Sequence, residues 1–387
     1  MPRIYLDANA TTPLLPEVVE AMRPFWSESF GNPSSAHQSG QRTRSAVEHA
    51  RAAVARLLNA TPKELVFTSG GTESDNLALS GVLQPYLDAK EPVHLITTSI
   101  EHHAVLYTAE SLERRGIEVT YLAPTRDGII DPAALEAALK PHTKLVSVML
   151  ANNETGAVQP VGKLARIAKA HGALVHTDAV QAAAKLPLDL SGEFKNVDLL
   201  SLSGHKMYAP QGTGVLFVRK GVQLTPLFHG GPHERQRRAG TENVPGIVGL
   251  GRAAELAHEW LNSPVDADNL TTLRNRLEQG LLATIPDTRV NADAAPRVPN
   301  TTNLRIAGID AEALLIALDI QGVAASFGAA CQSGATEPSH VLLAMGISPA
   351  EARSSLRLSL SRLTTAEEID RALEIIPAAV ARLRSVS

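Results

Sequence analysis

The sequence predicts an α/β protein with a large domain built on a mainly parallel, doubly wound sheet and a smaller α+β domain. From about residue 60 to residue 220, short β-rich runs alternate with helix-like stretches, as in repeated strand–helix units. The runs are almost continuously apolar, which is typical of strands buried on both faces of a helix-covered parallel sheet. The pattern changes after Asn262-Ser263-Pro264. We therefore expect a large domain over residues 15–262 and a small domain formed by residues 1–14 and 263–387.

Each predicted element follows from its own run of residues. Six β-rich runs predict the strands of the large domain, at residues 65–68, 93–97, 118–122, 145–149, 173–176 and 198–202. Helix-like stretches lie between them, such as residues 72–87 and 161–171. The small domain is predicted to contain a helix, a strand, a helix, a strand and a helix, at residues 267–285, 302–306, 311–320, 355–360 and 366–383.

Composition excludes several classes of protein. The 40 Asp and Glu residues outnumber the 36 Lys and Arg residues, and this net charge of −4 gives no reason to expect nucleic acid or an anionic membrane as a partner. Cys331 is the single cysteine, so we expect no internal disulfide and a reducing compartment. Residues 1–7 contain no apolar signal core, and no apolar run approaches the roughly 20 residues that span a bilayer. These features predict a cytoplasmic globular protein.

The first candidate site residues follow the first predicted strand. In open α/β sheets, ligands bind beyond the carboxyl ends of the strands. That strand runs into Gly70-Gly71-Thr72 at the start of a predicted helix. Free N–H groups and the positive end of the helix dipole favour an anion there, so Gly71 and Thr72 are candidates to bind a phosphate. Glu73 leaves an alternative open, because Thr or Ser followed by Glu is also an ordinary helix-capping pattern.

Two further turns carry polar side chains. His102 follows the second strand, where a flat imidazole is a candidate to stack on an aromatic ligand, although a lone histidine is more often an ordinary polar residue. Asn153 follows the fourth strand, where its amide is a candidate to bind a ligand oxygen. The alternative for Asn153 is a common turn, since two asparagines precede a glycine there.

The last two predicted strands of the large domain lead into a carboxylate and an amine. Asp178 ends a buried strand, where a carboxylate is costly unless it has a cationic partner. Gln181 offers an amide three residues later. Lys206 is a candidate Schiff-base nucleophile, because a desolvated lysine loses its proton more easily. The alternative is that Lys206 is a solvated surface residue, as most lysines are.

Together these side chains fit one ligand. Pyridoxal phosphate needs a phosphate cup, an amine for its aldehyde, an anion for its pyridinium nitrogen, a planar stacking partner and a donor for its phenolic oxygen. Thr72, Lys206, Asp178, His102 and Gln181 supply these roles in that order. A charged Asp178 would keep the ring nitrogen protonated, which makes the ring an electron sink. The sequence therefore predicts pyridoxal 5′-phosphate as the cofactor.

The same motifs carry a family resemblance that covers essentially the whole chain. The shared stretches are residues 5–7, 10–13, 31–35, 68–76, 101–105, 152–156, 176–181, 203–206, 238–243, 331, 337–340 and 355–359. The chain resembles the cysteine desulfurases among the class V pyridoxal-phosphate enzymes, in the group that supplies sulfur for iron–sulfur cluster assembly. Cys331 narrows the resemblance to desulfurases, and the resemblance implies the type I fold of these enzymes.

The resemblance also implies roles and partners. It implies that Ser203 and His205 bind the phosphate, and that Thr241 reaches it from the second subunit of a homodimer. It implies conversion of L-cysteine to L-alanine, with Arg357 holding the substrate carboxylate and Asn153 also contacting the substrate. Either Lys206 or the stacking His102 would move the α-proton. A persulfide would form on Cys331, from which sulfur passes to an acceptor protein such as an iron–sulfur scaffold, or to other thio-cofactor synthesis. These implied residues all lie in the shared stretches.

Two departures and two alternatives remain at this stage. Asn9 is displaced by one place from the family pattern, so it receives no role, and Ala329 and Gln332 replace hydroxyl residues common beside the cysteine. Among enzymes, a selenocysteine lyase or another class V aminotransferase is the alternative; an aminotransferase would tolerate loss of Cys331. A sulfur-relay protein with a decayed site is the other, although the presence of Lys206 and Asp178 argues against it.

Arg357 also has an alternative interpretation, as an exposed arginine on an edge strand.

Overall fold

The computed structural model describes residues 3–327 and 338–386. Within them the strands are β1 (Ile4–Tyr5), β2 (Leu65–Thr68), β3 (His94–Thr98), β4 (Glu118–Leu122), β5 (Thr143–Ser147), β6 (Leu174–Asp178), β7 (Leu199–Ser203), β8 (Gly214–Val218), β9 (Thr288–Val290), β10 (Thr301–Ile306), β11 (Val323–Ala324) and β12 (Ser355–Ser359). The α-helices are α1 (Pro16–Met22), α2 (Gln38–Leu57), α3 (Gly71–Ala89), α4 (His103–Arg114), α5 (Pro132–Ala138), α6 (Val161–Ala170), α7 (Val244–Leu261), α8 (Pro264–Thr284), α9 (Ala311–Ile320), α10 (His340–Ala344), α11 (Pro349–Arg353) and α12 (Ala366–Val386). Short 3-10 turns include Gly204–Lys206 and His233–Gln236.

A seven-stranded sheet forms the centre of the fold, with the strand order β2-β8-β7-β6-β5-β3-β4. The strands from β7 to β4 in this order pair in parallel, whereas β8 is antiparallel to both β2 and β7. All six predicted strands of the large domain are present, with ends displaced by at most two residues. The predicted fold class is therefore confirmed, and the sheet is mixed only at β8.

Strand β8 is the strand of this sheet that the sequence reasoning missed. Only ten residues separate Ser203, at the end of β7, from Gly214, at the start of β8. A parallel partner would need a crossover of a dozen or more residues, usually with a helix. The short connection therefore forces the chain to turn back, so β8 runs antiparallel and lies outside the strand–helix rhythm used to find the other strands.

Both faces of the sheet are buried. Neighbouring residues of a strand point to opposite faces, and Leu216 and Phe217 of β8 accordingly belong to two different hydrophobic clusters. The cluster that contains Phe217 also includes residues of α2, α6 and α7, whereas the cluster that contains Leu216 includes residues of α3 and α4. Helices therefore cover the sheet on each side, which explains why the strands are almost continuously apolar.

A third hydrophobic cluster lies beside two smaller sheets. Strands β12, β10 and β9 form an antiparallel sheet in that order, and β1 pairs in parallel with β11. The cluster joins Ile4 and Leu6, near the start of the chain, to apolar residues of α8, α9, β12 and α12. The helices and strands predicted for this region are present, and α9 has the predicted bounds. The divisions at residues 14/15 and 262/263 stay a prediction.

The topology brings the ends of several strands to one edge of the central sheet. Asp178 is the last residue of β6 and Ser203 is the last residue of β7, while β2 leads directly into α3. Parallel strands end at the same edge, so side chains from distant parts of the sequence meet there. In the part of the chain that the structure describes, none of the helices has both the length and the apolar character needed to cross a bilayer.

Candidate active site

A cavity of about 350 Å³ lies at this edge of the sheet. Ten of the twelve candidate site residues line it: Gly71, Thr72, His102, Asn153, Asp178, Gln181, Ser203, His205, Lys206 and Arg357. Of the other two, Thr241 lies elsewhere, and Cys331 is outside the described residues. The structure thus brings together side chains that are separated by up to 286 positions, between Gly71 and Arg357.

The anion cup forms where β2 turns into α3. A Cβ atom added at Gly71 would lie 2.9 Å from Cγ2 of Val180, which real Cβ atoms essentially never do, so only glycine fits at this close approach. Thr72 is the second residue of the 19-residue helix α3, whose first N–H groups and dipole attract an anion. Ser203 lies beside the turn, because its Oγ is 3.9 Å from the Cβ position of Gly70.

His205 completes the polar wall of the cup. Its Nδ1 lies 3.2 Å from Oγ1 of Thr11 in a hydrogen bond. Burial lowers the pKa of His205 to about 4, and the charge of Lys206 acts in the same direction. The ring is therefore neutral near pH 7, and it can meet an anion as an N–H donor but not as a cation.

Lys206 follows β7 on the 3-10 turn Gly204–Lys206. Its Nζ donates to the backbone carbonyl oxygens of Asn9 and Ala10, the latter at 2.7 Å. These two carbonyls belong to the segment after β1, so the N-terminal part of the chain holds the amine in the cavity. The prediction that Lys206 lies in a ligand site rather than on the open surface agrees with this position, and its chemical role stays a prediction.

Asp178 is buried at the end of β6, with 6% of its surface exposed. Its Oδ1 accepts a hydrogen bond from the N–H of Val180 at 2.8 Å. Burial raises the pKa of Asp178 to about 6, while this hydrogen bond and the charge of Lys206 oppose the rise. A cation beside Asp178, such as a protonated ring nitrogen, would favour its charged form further.

His102 is the N-cap of α4, and its Nδ1 accepts a hydrogen bond from the N–H of Ala104 at 3.1 Å. Burial lowers the pKa of His102 to about 4, and the charge of Lys206 contributes in the same direction. The ring is therefore neutral near pH 7. Because its Nδ1 lone pair is used in the cap, the proton of the neutral ring is on Nε2.

Arg357 lies on β12, at the edge of the three-stranded sheet, yet only 1% of its surface is exposed. Its Nη2 donates to Oδ1 of Asp7 at 2.7 Å, and its Nη1 donates to the backbone oxygen of Asn153 at 3.0 Å. Oδ1 of Asn153 is itself buried, with no hydrogen-bond partner in the described part of the chain. The alternative interpretation of Arg357 as an exposed edge-strand residue is therefore wrong, and the guanidinium faces the cavity wall.

The sequence reasoning gave Asn9 no role, but the structure places this residue at the centre of the site. Its backbone oxygen accepts hydrogen bonds from Lys206 and, at 2.9 Å, from Nε2 of Gln181. Its side-chain Nδ2 donates to the backbone oxygen of Asn153 at 3.1 Å and to Oγ1 of Thr301 at 2.9 Å. A contribution made by a backbone carbonyl leaves no signal in residue type, so a motif comparison could not find it.

Buried acids near the cavity were also missed. Burial raises the pKa of Glu101 to about 8, although its Oε1 accepts hydrogen bonds from Oγ1 of Thr98 at 2.8 Å and from the N–H of Met149 at 2.9 Å. Burial likewise raises the pKa of Asp75, which lines the cavity, well above its ordinary value. The one available signal was that Glu101 directly precedes His102.

Thr241 lines a different cavity, of about 540 Å³. The segment that carries it is nevertheless attached beside the anion cup, because Nε of Arg238 donates to Oε1 of Glu73 at 2.9 Å. Within one chain, Thr241 therefore does not line the anion cup. The prediction that Thr241 reaches the phosphate of a second subunit is untested by this geometry and stays a prediction.

Comparison with known proteins agrees with the site. The profile of the family "Aminotransferase class-V" matches residues 4–372. A curated cysteine desulfurase from Trichormus azollae is 50% identical over 384 residues, which cover 99% of this chain and 94% of the relative. A solved structure of a NifS-like protein superposes with a TM-score of 0.91 at 38% identity, covering 98% of this chain and 100% of that one. The structure described as SspA in complex with cysteine gives a TM-score of 0.82 at 38% identity, with 93% and 99% covered.

The chain belongs to the class V aminotransferase family, whose members use pyridoxal phosphate. Within that family, cysteine desulfurases from Trichormus azollae and Methanosarcina thermophila match 99% of this chain at 50% and 48% identity. The predicted family, the cofactor and the cysteine desulfurase activity are therefore confirmed.

The residues present fit this cofactor. The close approach at Gly71 leaves room for a phosphate beside the start of α3. Asp178, His102 and Lys206 supply a buried carboxylate, a neutral flat ring and an amine in the same cavity. Asn153 adds a buried Oδ1 that has no partner in the described residues. The cavity thus offers hydrogen-bond donors or acceptors to each polar group of pyridoxal phosphate.

Proposed function

We propose that this enzyme holds pyridoxal phosphate on Lys206, binds L-cysteine through Arg357, and delivers the sulfur of the substrate to Cys331. The observation that carries the proposal is the convergence of Lys206, Asp178, His102 and Arg357 on one cavity of about 350 Å³. When bound, the cofactor withdraws electrons from the α-carbon of the attached amino acid. The remaining steps depend on what the side chains of this chain do.

Different side chains would hold the phosphate and the ring nitrogen of the cofactor. Gly71, Thr72, Ser203 and His205 supply N–H and hydroxyl donors for the phosphate at the start of α3. Asp178 is a buried carboxylate that needs a cation, which the protonated ring nitrogen would provide.

The remaining contacts hold the flat face and the ring oxygen. His102 would present a neutral imidazole to the ring face, and Gln181 would offer its amide N–H to the ring oxygen. Both side chains line the cavity. Together they would hold the cofactor in the cavity that the amine of Lys206 also lines.

Lys206 is the group that moves the α-proton. The sequence left this role open between Lys206 and His102. Nδ1 of His102 accepts the N–H of Ala104, so the Nε2 of its neutral ring carries a proton and has no lone pair to accept another. The amine of Lys206 donates to two backbone carbonyls in the cavity, and it can exchange its protons with a substrate carbon after the substrate displaces it.

Arg357 binds the carboxylate of the substrate. A guanidinium forms paired hydrogen bonds to a carboxylate, and a buried one binds it more strongly than an exposed one. Asp7 accepts from Nη2 and so holds the plane of the group. The related SspA was solved in complex with cysteine, which supports an α-amino acid with a thiol as the substrate here.

Sulfur leaves the substrate in a step that balances without an added oxidant. The thiolate of Cys331 attacks the sulfur of the bound cysteine, and a sulfur–sulfur bond forms as the Cβ–S bond breaks. The electron pair of that bond stays on Cβ, which takes up a proton, so that alanine results. Cys331 lies outside the described residues, and its role comes from the family resemblance.

Partners complete the proposal. We infer that an acceptor protein, such as an iron–sulfur scaffold, removes the sulfur from Cys331, and that the enzyme works in the cytoplasm, where reducing conditions keep the thiol available. We also infer a homodimer in which Thr241 serves the cup of the other subunit. Phe30 and Trp26 are 71% and 59% exposed, and burial of either side chain in the dimer would remove apolar surface from water.

One experiment tests the activity and the residues together. The purified protein is loaded with pyridoxal phosphate and incubated with L-cysteine, and alanine and enzyme-bound sulfane sulfur are quantified. We expect Cys331→Ser to lose both products and Lys206→Ala to lose the covalent cofactor, whereas Lys195→Ala, an exposed lysine, serves as the control. Wild-type rates of alanine formation in Cys331→Ser would refute the persulfide route. If selenocysteine is processed and cysteine is not, the enzyme is a selenocysteine lyase.

A further inference from the structure

Lys185 is a buried lysine that the proposed mechanism does not use. Only 8% of its surface is exposed, although a lysine is almost never buried unless something pairs with it. Its Nζ donates to Oε1 of Gln181 at 2.7 Å. Lys185 therefore lies directly behind a side chain that lines the cofactor cavity, while Lys185 does not line the cavity itself.

The surroundings of Lys185 make this burial costly. Burial lowers its pKa well below the ordinary value, and the charges of Lys206, Arg357 and Arg362 act in the same direction. Placing another amine among these cations costs free energy. An apolar side chain of similar length would avoid this cost. The amine must therefore contribute something that an apolar group cannot, and that is its hydrogen bond to Gln181.

Two hydrogen bonds, one at each end of the amide, set the orientation of the Gln181 side chain. The backbone oxygen of Asn9 can only accept, so the group of Gln181 that lies 2.9 Å from it is Nε2. Oε1 then points to Nζ of Lys185. An amide nitrogen carries two N–H groups, and the bond to Asn9 uses one of them. The second is left for an acceptor in the cavity.

The backbone holds the two side chains in register. Lys185 and Gln181 are four residues apart in the turn that follows β6, where the N–H of Ala183 bonds to the oxygen of Ala179 and the N–H of Lys185 bonds to the oxygen of Ala182. Ala184 adopts a left-handed conformation with φ of 58°, which a residue with a Cβ adopts only at a cost. This turn conformation allows the side chain of Lys185 to reach that of Gln181.

We infer that Lys185 is a positioning residue, which holds Gln181 with its amide nitrogen facing the cavity so that it donates to the ring oxygen of the cofactor. The inference rests on the proposed function, since it requires pyridoxal phosphate in this cavity. It assigns Lys185 an indirect role, because its amine contacts Gln181 and not the reacting atoms.

The test is a pH titration of the absorbance of the bound cofactor, which reports the proton affinity of its link to Lys206. A donor to the ring oxygen stabilises negative charge there, so its loss raises the titration midpoint. We expect Lys185→Met, which keeps the length and removes the donor, to raise the midpoint by about one pH unit, or tenfold in proton affinity. Lys185→Gln, which keeps a donor without a charge, should return the midpoint toward the wild-type value. Lys195→Met is the control.

A double variant separates positioning from a charge effect. In a Gln181→Leu background, Lys185→Met should cause no further shift, because Lys185 would then have nothing to position. The inference is overturned if the Lys185→Met shift persists in that background or if Lys185→Gln fails to restore the midpoint, since either result assigns the effect to the charge of Lys185. An unchanged midpoint in Lys185→Met also overturns it.

The wild-type titration distinguishes this inference from the proposed function. If the wild type binds no pyridoxal phosphate, the proposed function itself fails. If the wild type titrates and the variants match it, only the role of Lys185 fails. Should Lys185→Met fold poorly, Lys185→Gln and Gln181→Leu still decide the question, because the inference requires the first to resemble the wild type and the second to show the raised midpoint.

Discussion

Nη2 of Arg357 donates to Oδ1 of Asp7 at 2.7 Å, across 350 positions of sequence. The guanidinium is almost fully buried, whereas the carboxylate of Asp7 is 20% exposed. The pair joins the segment after β1 to strand β12 at the wall of the cavity. It fixes the plane of the guanidinium before any substrate carboxylate arrives, which reduces the ordering that binding requires.

This pairing predicts a specific loss of substrate binding. Arg357→Lys should raise the KM for L-cysteine by about tenfold or more, because an ammonium cannot form the paired hydrogen bonds of a guanidinium. Steady-state kinetics of alanine formation measure the change. Arg353→Lys, an exposed arginine near the same strand, is the matched control. A KM equal to that of the wild type would show that Arg357 does not bind the substrate carboxylate.

The close approach at Gly71 predicts a weaker cofactor complex when a methyl group is added. In Gly71→Ala, the new Cβ would lie 2.9 Å from Cγ2 of Val180 and would move one wall of the anion cup. We expect cofactor affinity to fall by about tenfold, which corresponds to roughly 1.4 kcal/mol. Equilibrium binding followed by absorbance measures it. Val180→Ala removes the clashing atom, so the double variant should regain most of the affinity; failure to regain it would place the effect elsewhere.

Glu101 predicts a pH dependence of stability for the enzyme without cofactor. Burial raises its pKa from the ordinary 4.5 to about 8, so between these values the folded protein binds a proton that the unfolded chain has lost. The free energy of unfolding therefore falls as pH rises from about 4.5 to about 8, and it levels off above that, with a slope of about 1.4 kcal/mol per pH unit from this group.

Glu101→Gln removes this titration and keeps an oxygen that can accept from Thr98 and Met149. Relative to the wild type, the variant should become progressively more stable between pH 5 and pH 8. Urea unfolding at several pH values measures the difference, with Glu110→Gln, an exposed residue of α4, as the control. A difference that does not change with pH would contradict the prediction.

The turn at Glu234–Gln236 predicts a stabilising substitution. Glu234, Arg235 and Gln236 have φ of 46°, 58° and 67°, and Gln236 is exposed. Glycine avoids the steric cost of this conformation, so Gln236→Gly should raise the free energy of unfolding by about 0.5–1 kcal/mol. Thermal or urea unfolding measures it, and Gln236→Ala should give no such gain.

The same turn is held by a buried ion pair. Nη1 and Nη2 of Arg51 donate to the two carboxylate oxygens of Glu234, each at 2.8 Å. Oε2 of Glu234 also accepts the N–H of Phe67 at 3.0 Å. Removing one partner would leave a buried charge, which typically costs about 3–5 kcal/mol. The ion pair therefore explains how three residues with side chains remain in left-handed conformations before the segment that carries Thr241.

Much of the fold was predictable because burial on both faces leaves a direct trace in sequence. Strand β4 and helix α9 have the predicted bounds, since each is a clear apolar or periodic run between turn residues. Strand β8 was not predicted, because its place in the sheet depends on the length of a connection and not on its composition. Helices α2 and α7 were not predicted either, because α2 precedes the strand–helix alternation and α7 follows it.

The site was predictable to the extent that it is made of side chains at strand ends. Asp178 and Lys206 have chemistry that residue type reveals, and the rule for open sheets placed them together. The backbone oxygen of Asn9 and the hydrogen bond from Lys185 to Gln181 were not predictable in this way. Both depend on how distant segments pack, which a list of motifs does not contain.

The position of β1 has a consequence for how the enzyme matures. Strand β1 pairs with β11, and the residues just after it, Asp7, Asn9 and Ala10, meet Arg357 and Lys206. Synthesis begins at the N-terminus, so this segment can meet Lys206 early but must wait for β11 and Arg357, which lie far later in the sequence. Completion of the substrate-binding wall is therefore a late event in biogenesis, and translation products that stop before Arg357 should not assemble it.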